Sequence, residues 1–199
     1  VPTSGAANFG YEARRRLAPD AKRQIGLAAA RMIPDGASLL INIGTTTEQV
    51  ATALRGRVGL MVITNNINVA NILQGHEDIE IVVAGGVLRH ADGGIVGEAA
   101  VDFIRQFRVD YAIVGTSAID RDGTLLDYDY REVKVAKAIM SCARKSILVA
   151  DSMKFERTAP VRIGHISELD VFVTEGPVPA DNDRICQESN VRIERASDG

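Results

Sequence analysis

The sequence predicts an α/β protein with a doubly wound, mostly parallel sheet and helices on both faces. Short aliphatic, β-branched runs alternate along the chain with amphipathic helical patterns, which is the order expected of βαβ units with right-handed crossovers. The aliphatic runs also lack alternating polar residues, which is typical of parallel strands that are buried on both faces.

The composition is that of a globular domain with an aliphatic core. The 199 residues are 46% hydrophobic, 25% charged and 5% aromatic, and none is Trp, so we expect one domain of ordinary size. The net charge of −3 argues against a nucleic-acid-binding surface on this segment itself. Two cysteines outside any CxxC motif favour reduced thiols and a cytoplasmic location. No long apolar run and no signal segment is present, so we expect no membrane contact.

The first 19 residues are predicted to be a linker that precedes the domain. They mix small, polar and basic residues without a clear period, as linkers do. Because the chain begins at Val1 rather than Met, we expect a fragment or a processed form. The domain is then expected over 20–199. It opens with a helix over 21–33, where apolar residues recur at helical spacing and Asp20 is the predicted N-cap.

Seven strands and four further helices are predicted after that first helix. The strands are expected in "SLLINI", "LMVIT", "IEIVVAGG", "YAIVGTSAI", "SILVA", "DVFVTE" and "NVRIER". The helices are expected in "TEQVATALR", "NINVANILQ", "EAAVDFIRQF" and "YREVKVAKAIMSCA". Ligands of open α/β sheets bind outside the carboxyl ends of strands. The polar loops "GTTT", "TNN", "AGGVLRHADGGIVGE", "GTSAID" and "ADSMKF" all fall on that side, so together they indicate a site.

The "GTTT" loop, from Gly44 to Thr47, is the part of this rim best suited to an anion. Gly44 lets the backbone turn tightly, while Thr45, Thr46 and Thr47 supply hydroxyl donors and unpaired N–H groups at a helix start. The positive end of a helix is typically worth about 0.3–1 kcal/mol to a surface anion, so a phosphate site without lysine is predicted. The alternative is that one Thr caps the helix and the others favour the turn. No Walker A or dinucleotide motif is present.

Arg89 and Lys154 offer positive charge at the same rim. Gly85 and Gly86 allow N–H groups to point into a cleft, and the Arg89 guanidinium matches phosphate or carboxylate geometry. The alternative is a flexible turn followed by a solvated Arg. Lys154 lies three residues after Asp151, so it either reaches the cleft or pairs with Asp151 at the surface.

Carboxylates are concentrated in the stretch 127–137. Asp127, Asp129 and Glu132 would bind the hydroxyls of a sugar or polyol, or act as an acid/base pair. The alternative is a capped, solvated helix start. The three histidines have no partners at metal-ligand spacing, and no nucleophile motif is present. We therefore expect no metal and no cofactor.

Five segments, in this order and spacing, resemble one family: "INIGTTTEQVA", "VITNNINVAN", "VVAGGVLRHADGGIVGE", "FRVDYAIVGTSAID" and "ILVADSMKF". They are similar to the effector-sensing domain of the DeoR family of bacterial transcriptional repressors. The resemblance implies a fold of the ribose-5-phosphate isomerase and CoA transferase type. It also implies a phosphorylated small metabolite as ligand and a homo-oligomer, either a dimer or a tetramer. Operator DNA would be contacted only through an N-terminal helix-turn-helix that is missing from this chain.

The family's site residues can be carried over position by position. Gly44, Thr45, Thr46 and Thr47 fall on its phosphate-contacting loop. The positions that match its neighbouring site loops are Asn65, Gly85, Gly86, Arg89, Gly97, Glu132 and Lys154. The stretches "DGGIVGEAAVDFIRQFRVDYAIVG" and "GTLLDYDYREV" look most like the branch that responds to glycerol-3-phosphate. That compound is therefore the expected inducer, a ligand that releases the full-length protein from its operator.

Three departures from the family pattern concern catalysis. Asn42 stands where many members have an acid, Val87 stands where they have a Glu, and "GTSAID" replaces the more usual "GADGI". These departures argue against acid/base chemistry, so we expect no enzyme activity. The alternative is a sugar-phosphate isomerase on the same fold, with a carboxylate of the 127–132 stretch as the base and Lys154 as an electrophilic aid.

Overall fold

The computed structural model describes Tyr11 and residues 18–197. The predicted linker lies outside the described residues except for Tyr11, Ala18 and Pro19. The first helix begins at Pro19, because Ala18 is its N-cap with a left-handed backbone (φ 46°). Proline suits the first helical position, where an N–H would have no partner. The prediction that Asp20 is the N-cap is therefore wrong, and Asp20 lies in the first turn.

Helices and strands alternate along most of the described chain. In order they are α1 (Pro19–Arg31), β1 (Ser38–Ile41), α2 (Thr45–Leu54), β2 (Leu60–Thr64), α3 (Ile67–Leu73), β3 (Ile79–Val83), β4 (Val87–Arg89), β5 (Gly94–Val96), α4 (Glu98–Ile104), β6 (Val109–Val114), β7 (Ala118–Ile119), β8 (Thr124–Asp127), α5 (Tyr130–Ser141), β9 (Ala143–Val149), β10 (Val161–His165), β11 (Val171–Thr174), α6 (Ala180–Glu188) and β12 (Arg192–Arg195). Short 3₁₀ turns follow β9 at Ser152–Glu156 and β10 at Ile166–Glu168.

Seven strands form one sheet in the order β12-β11-β9-β6-β1-β2-β3. Every neighbouring pair in this sheet is parallel. The seven strands are the seven that the aliphatic runs predict, and the predicted doubly wound, mostly parallel sheet is confirmed.

Helices cover both faces of the sheet, as predicted. Leu39 and Ile41 of β1 pack into one buried cluster with Ile25 of α1 and Val50 of α2. Leu40 points to the opposite face and packs into a second cluster, which includes residues of α4, α5 and α6. Successive residues of a strand point to opposite faces, so one aliphatic strand supplies both layers of the core.

Two small antiparallel pieces have no counterpart in the sequence prediction. β4 and β5 form a hairpin, and β10, β8 and β7 form a three-stranded sheet. Several of these strands are only two or three residues long and lie among glycines, so their sequence is typical of loops. α6 is also unpredicted, because its sequence "ADNDRICQE" is mostly polar and has few apolar residues.

The order of the strands creates a switch point beside β1. The chain proceeds from β1 through β2 to β3 at one edge, then returns to β6 on the other side of β1. The connections on either side of this point run in opposite directions, which opens a crevice at the carboxyl ends of β1 and β6. Ligands of doubly wound sheets bind in such a crevice.

Candidate functional site

A small cavity lies at this switch point, where β1, β6 and β9 end. Its volume is about 30 Å³, enough for about one water molecule. Its wall consists of Ile43, Gly44, Thr45, Thr46, Thr47, Gly115, Thr116, Ser117, Asp127, Glu132, Val149 and Lys154. The wall therefore combines residues from both loops beside the switch point with two carboxylates and one lysine.

The loop between β1 and α2 has a backbone shape that suits only glycine. Gly44 is the N-cap of α2, with φ 145° and ψ 153°, a region that costs other residues about 1–3 kcal/mol. The hydroxyl of Thr47 donates to the carbonyl oxygens of Asn42 and Gly44, each at 2.8 Å. This side chain therefore fixes the loop, and the first N–H groups of α2 have no partner within the helix.

Thr45 and Thr46 differ from Thr47 in how their hydroxyls are used. Both line the cavity, and in the described part of the chain neither hydroxyl makes a hydrogen bond. Thr46 is buried, with 6% of its surface exposed, so its hydroxyl can be reached only from the cavity side. Two hydroxyls and a helix start thus form one polar wall, which we call the cradle (residues 44–47).

The "GTSAID" loop and the end of β8 form the opposite wall. The hydroxyl of Thr116 donates to the carbonyl oxygens of Ala118 and Leu126, at 3.0 and 2.9 Å. The hydroxyl of Ser117 donates to Oδ1 of Asp127 at 2.9 Å. The sequence placed this loop at the rim but singled out none of its residues, because only the fold brings β8 beside it.

Lys154 lies in the 3₁₀ turn after β9, and it is buried with 9% of its surface exposed. Asp151 caps this turn by accepting a hydrogen bond from the backbone N–H of Met153 at 3.0 Å. Lys154 lines the cavity, so of the two alternatives that the sequence left open, the structure has the lysine at the cleft. It brings a positive charge to the wall that also holds Glu132.

Arg89, on the hairpin, is surrounded by three carboxylates. Its guanidinium binds Asp92 with two hydrogen bonds, Asp129 at 2.9 Å and Glu132 at 2.7 Å. Asp129 also caps α5 by accepting from the backbone N–H of Arg131 at 2.8 Å. Arg89 therefore ties the hairpin to the start of α5 and lies just behind the cavity wall rather than in it.

The charges of this cluster shift one another's pKa. Burial raises the pKa of Glu132 to about 8, and the nearby charge of Asp127 adds to the rise while Arg89 opposes it. Burial alone would lower the pKa of Arg89, but its bonds to Asp92 and Glu132 outweigh that effect and raise it. For Asp129, burial acts to raise the pKa, but hydrogen bonds from Arg131 and Arg89 lower it overall. The cluster is thus held by charge.

The other residues predicted for the site lie around the hairpin, outside the cavity wall. The buried amide of Asn65 donates to the carbonyl oxygen of Ile95 at 3.2 Å. Gly86 begins the hairpin with φ 151°, and a Cβ there would lie 2.9 Å from Cγ2 of Ile95. Gly97, with φ 108°, is the N-cap of α4, and Gly85 has open space where a Cβ would be. These residues shape and anchor the hairpin.

The described residues contain neither a cluster suited to a metal ion nor a helix suited to a membrane. Among Tyr11 and residues 18–197, no group of three or more His, Cys, Asp or Glu side chains is arranged to hold a metal ion. No helix in the same residues has the length and apolar character needed to cross a membrane.

Comparison with known sequences gives a family and several relatives. The family model described as the DeoR C terminal sensor domain matches residues 18–176. The glycerol-3-phosphate regulon repressor of Haemophilus influenzae is 51% identical over 88% of this chain and 68% of its own length. The Escherichia coli protein of the same name is 44% identical over 96% of this chain and 76% of its own length. The Escherichia coli HTH-type transcriptional repressor CsqR is 38% identical over 96% of this chain and 73% of its own length.

Comparison with solved structures supports the fold. Ribose 5-phosphate isomerase A from Methanocaldococcus jannaschii superposes with a TM-score of 0.52 at 15% identity, over 69% of this chain and 54% of that chain. The eIF2B beta subunit from Chaetomium thermophilum gives a TM-score of 0.55 at 20% identity, over 77% of this chain and 50% of that chain. The match to the isomerase confirms the fold type expected from the sequence, and identities this low concern the fold alone.

Proposed function

The chain belongs to the DeoR C-terminal sensor domain family, and on that premise we propose that it senses a phosphorylated polyol or sugar. Glycerol-3-phosphate is the proposed inducer, since two relatives are named for a glycerol-3-phosphate regulon. Its binding releases the full-length repressor from operator DNA. The observation that carries this proposal is the cradle, a helix start with unused hydroxyls at the switch point of the sheet.

The phosphate group fits the cradle. The first N–H groups of α2 and the hydroxyls of Thr45 and Thr46 are donors, and a phosphate has only acceptor oxygens to offer them. Lys154 adds a positive charge from the adjacent strand end. The loop is held by Thr47 before any ligand arrives, so little ordering opposes binding.

The hydroxyl groups of the ligand fit the opposite wall. Asp127 and Glu132 line the cavity there, and carboxylates accept hydrogen bonds from polyol hydroxyls. A phosphate dianion is repelled by carboxylates, so the two walls favour one orientation, with phosphate on α2 and the carbon chain towards α5. A phosphorylated polyol meets both requirements, while neither glycerol nor inorganic phosphate does.

Binding requires the cavity to open. A volume of about 30 Å³ is far below the several hundred Å³ of typical ligand pockets. The cradle is fixed by backbone and hydroxyl contacts, so the side that moves is the hairpin with its Arg89 cluster. Displacing Arg89 from Glu132 enlarges the cavity and frees a carboxylate for the ligand, as in other glycine-rich loops that gate a site.

The remaining parts of the proposal concern the whole repressor. Residues 1–19 connect the sensor to a helix-turn-helix that binds operator DNA, and residues 20–199 form the sensing domain. The protein acts in the cytoplasm as a homo-oligomer, a dimer or a tetramer, because operator half-sites are read by a symmetric assembly. A change in the sensor that alters the spacing of two helix-turn-helix domains then weakens the binding of operator DNA.

We propose that the domain has no enzyme activity. The raised pKa of Glu132, about 8, is the one observation that favours an isomerase, because a general base works best near the operating pH. However, Arg89 holds this carboxylate at 2.7 Å, and Asn42 stands where an acid is common in the family. A coupled isomerase assay should show no turnover above buffer, and turnover that Glu132→Gln abolishes would favour the enzyme instead.

Isothermal titration calorimetry on this chain tests the sensing function. We expect sn-glycerol-3-phosphate to bind, inorganic phosphate to bind more weakly and glycerol not to bind. Thr46→Val should weaken the binding of sn-glycerol-3-phosphate about tenfold, because one hydrogen bond to a charged group is lost.

Thr174→Val is the matched control. Thr174 is buried at the end of β11, and its hydroxyl has no partner among the described residues, so its replacement should leave affinity unchanged. If sn-glycerol-3-phosphate and other phosphorylated polyols and sugars all fail to bind, the proposed function is wrong. If Thr46→Val binds like the unmodified chain, the cradle is not the phosphate site.

A further inference from the structure

A second, larger cavity lies between α1, α2 and α3, next to the start of α2. Its volume is about 290 Å³, and its wall includes Tyr11, Lys22, Thr45, Glu48 and Asn68. Thr45 lines both this cavity and the cradle cavity. The two cavities are therefore separated only by the first turn of α2, and we call the larger one the Tyr11 groove.

The Tyr11 groove contains a buried carboxylate with several donors. Glu48, on α2, is 6% exposed. Its Oε1 accepts from the hydroxyl of Tyr11 at 2.5 Å, and its Oε2 accepts from the amides of Asn66 and Asn68 at 2.9 and 3.3 Å. A buried carboxylate is costly unless donors surround it, so the Tyr11 hydroxyl contributes to holding Glu48 in place.

The wall of the groove that is formed by α1 and α2 is tightly packed. A Cβ on Gly26 of α1 would lie 2.7 Å from the backbone of Gln49, so α1 and α2 are in direct backbone contact. Such close packing leaves no room for α1 to slide. A change in the contacts of Tyr11 therefore does not require α1 to shift against α2.

A continuous series of polar contacts joins the groove to the cradle cavity. The amide of Asn68 contacts the hydroxyl of Tyr11 at 3.3 Å and donates to the carbonyl oxygen of Asp92 at 3.0 Å. The side chain of Asp92 binds Arg89, and Arg89 binds Glu132 in the cavity wall. Tyr11 and Glu132 are thus connected through three residues, all on or beside the hairpin that must move for a ligand to enter.

We propose that the Tyr11 groove is the docking surface for the N-terminal segment of this chain, and that ligand binding in the cradle releases that segment. The inference rests on the proposed function, because it assigns the route by which the same site communicates with the DNA-binding side. The occupant is the chain's own segment around Tyr11, since Tyr11 already lies in the groove and completes the donors around Glu48.

The contacts fix the direction of the effect. A ligand that displaces Arg89 from Glu132 also disturbs the bond between Arg89 and Asp92, and hence the Asn68 contact that holds Tyr11. Ligand binding therefore opposes docking of Tyr11. Linkage is reciprocal, so a variant that abolishes docking should bind the ligand more tightly, by at most the factor by which the ligand weakens docking.

Limited proteolysis combined with calorimetry tests the proposal. The sequence has three arginines at positions 14–16, so the rate of trypsin cleavage there reports release of the segment. Saturating sn-glycerol-3-phosphate should raise that rate about fivefold, a coupling at the low end of the usual range. Tyr11→Phe, which removes only the hydroxyl, should be cleaved faster without ligand, respond little to ligand, and bind sn-glycerol-3-phosphate about fivefold more tightly.

Two further variants make the result specific. Glu48→Gln should resemble Tyr11→Phe if it folds. Tyr111→Phe, whose half-buried tyrosine lies on β6 away from both cavities, should behave like the unmodified chain. A tighter Kd in Tyr11→Phe is the result that a merely structural role would not produce.

The outcomes separate this inference from the function on which it rests. If calorimetry shows sn-glycerol-3-phosphate binding while cleavage and the affinity of Tyr11→Phe stay unchanged, the coupling is wrong and the sensing function stands. If sn-glycerol-3-phosphate does not bind the unmodified chain, the sensing function fails with this ligand and the coupling fails with it.

Discussion

The two sides of the crevice are held by different kinds of interaction. On the β1–α2 side, the cradle is fixed by the backbone shape of Gly44 and by the neutral hydrogen bonds of Thr47. On the hairpin side, Arg89 is fixed by ion pairs to Asp92 and Asp129 and by a hydrogen bond to Glu132. The β1–α2 side should keep its shape when a charged ligand binds. The hairpin side depends on electrostatic contacts, so a ligand that competes for those contacts can change it.

This difference assigns separate tasks to the two sides. Neutral, preformed donors suit recognition, because they need not reorganise when an anion binds. A cluster of acidic side chains around one guanidinium suits gating, because a ligand hydroxyl that bonds to Glu132 competes with Arg89 for the same carboxyl group. Variants that remove one kind of interaction and spare the other should therefore separate stability from gating.

The largest effect is expected from Arg89→Ala. This change leaves the buried carboxylate of Asp92 without its cation, and removing one partner of a buried ion pair costs about 3 kcal/mol or more. We expect the free energy of unfolding in urea to fall by about that amount. Arg131→Ala is the control, because Arg131 is half exposed and pairs with Asp129 at the surface, where such pairs contribute about 0.5 kcal/mol. Equal effects in the two variants would show that the hairpin is not held by charge.

An intermediate effect is expected from Gly44→Ala. Alanine rarely adopts φ 145° with ψ 153°, so the strain should lower the free energy of unfolding by about 2 kcal/mol. Gly44→Ala should also bind sn-glycerol-3-phosphate more weakly, because its cradle loop relaxes. Arg89→Ala should not bind it more weakly, because Arg89 lies outside the cradle. Gly85→Ala is the matched control, with no positive φ and open space for a Cβ, and it should change stability by less than about 0.5 kcal/mol. Ligand affinity unchanged in Gly44→Ala would argue against a preformed cradle.

The sequence predicts those features whose causes are local. The seven sheet strands are visible because each buried parallel strand is a continuous aliphatic run. The cradle is visible because one glycine and three threonines are adjacent in the chain. The short hairpin strands are not visible, since three residues among glycines carry no period.

The contacts of the crevice could not be predicted, because their partners are distant in sequence. Arg89 meets Glu132 across 43 positions, and Tyr11 meets Glu48 across 37. Sequence alone allowed Arg89 to be solvated or to bind an anion, and only the fold shows it bound to carboxylates. Likewise, the distinct use of Thr47 and Thr46 depends on where the carbonyl oxygen of Asn42 lies.

The smallest effect is expected from titration of Glu132, and it concerns the gating side alone. Burial raises the pKa of this carboxyl from 4.5 to about 8, so between these values the folded chain holds a proton that the unfolded chain has lost. Stability is therefore lost as the pH rises towards 8, by about 1 kcal/mol between pH 7 and pH 8. Glu132→Gln, which cannot ionise, should lack this loss in urea unfolding at the two pH values, whereas Glu98→Gln, at an exposed position, should retain it. If the free energy of unfolding changes equally between pH 7 and pH 8 in the unmodified chain and in Glu132→Gln, Glu132 is already ionised at pH 7.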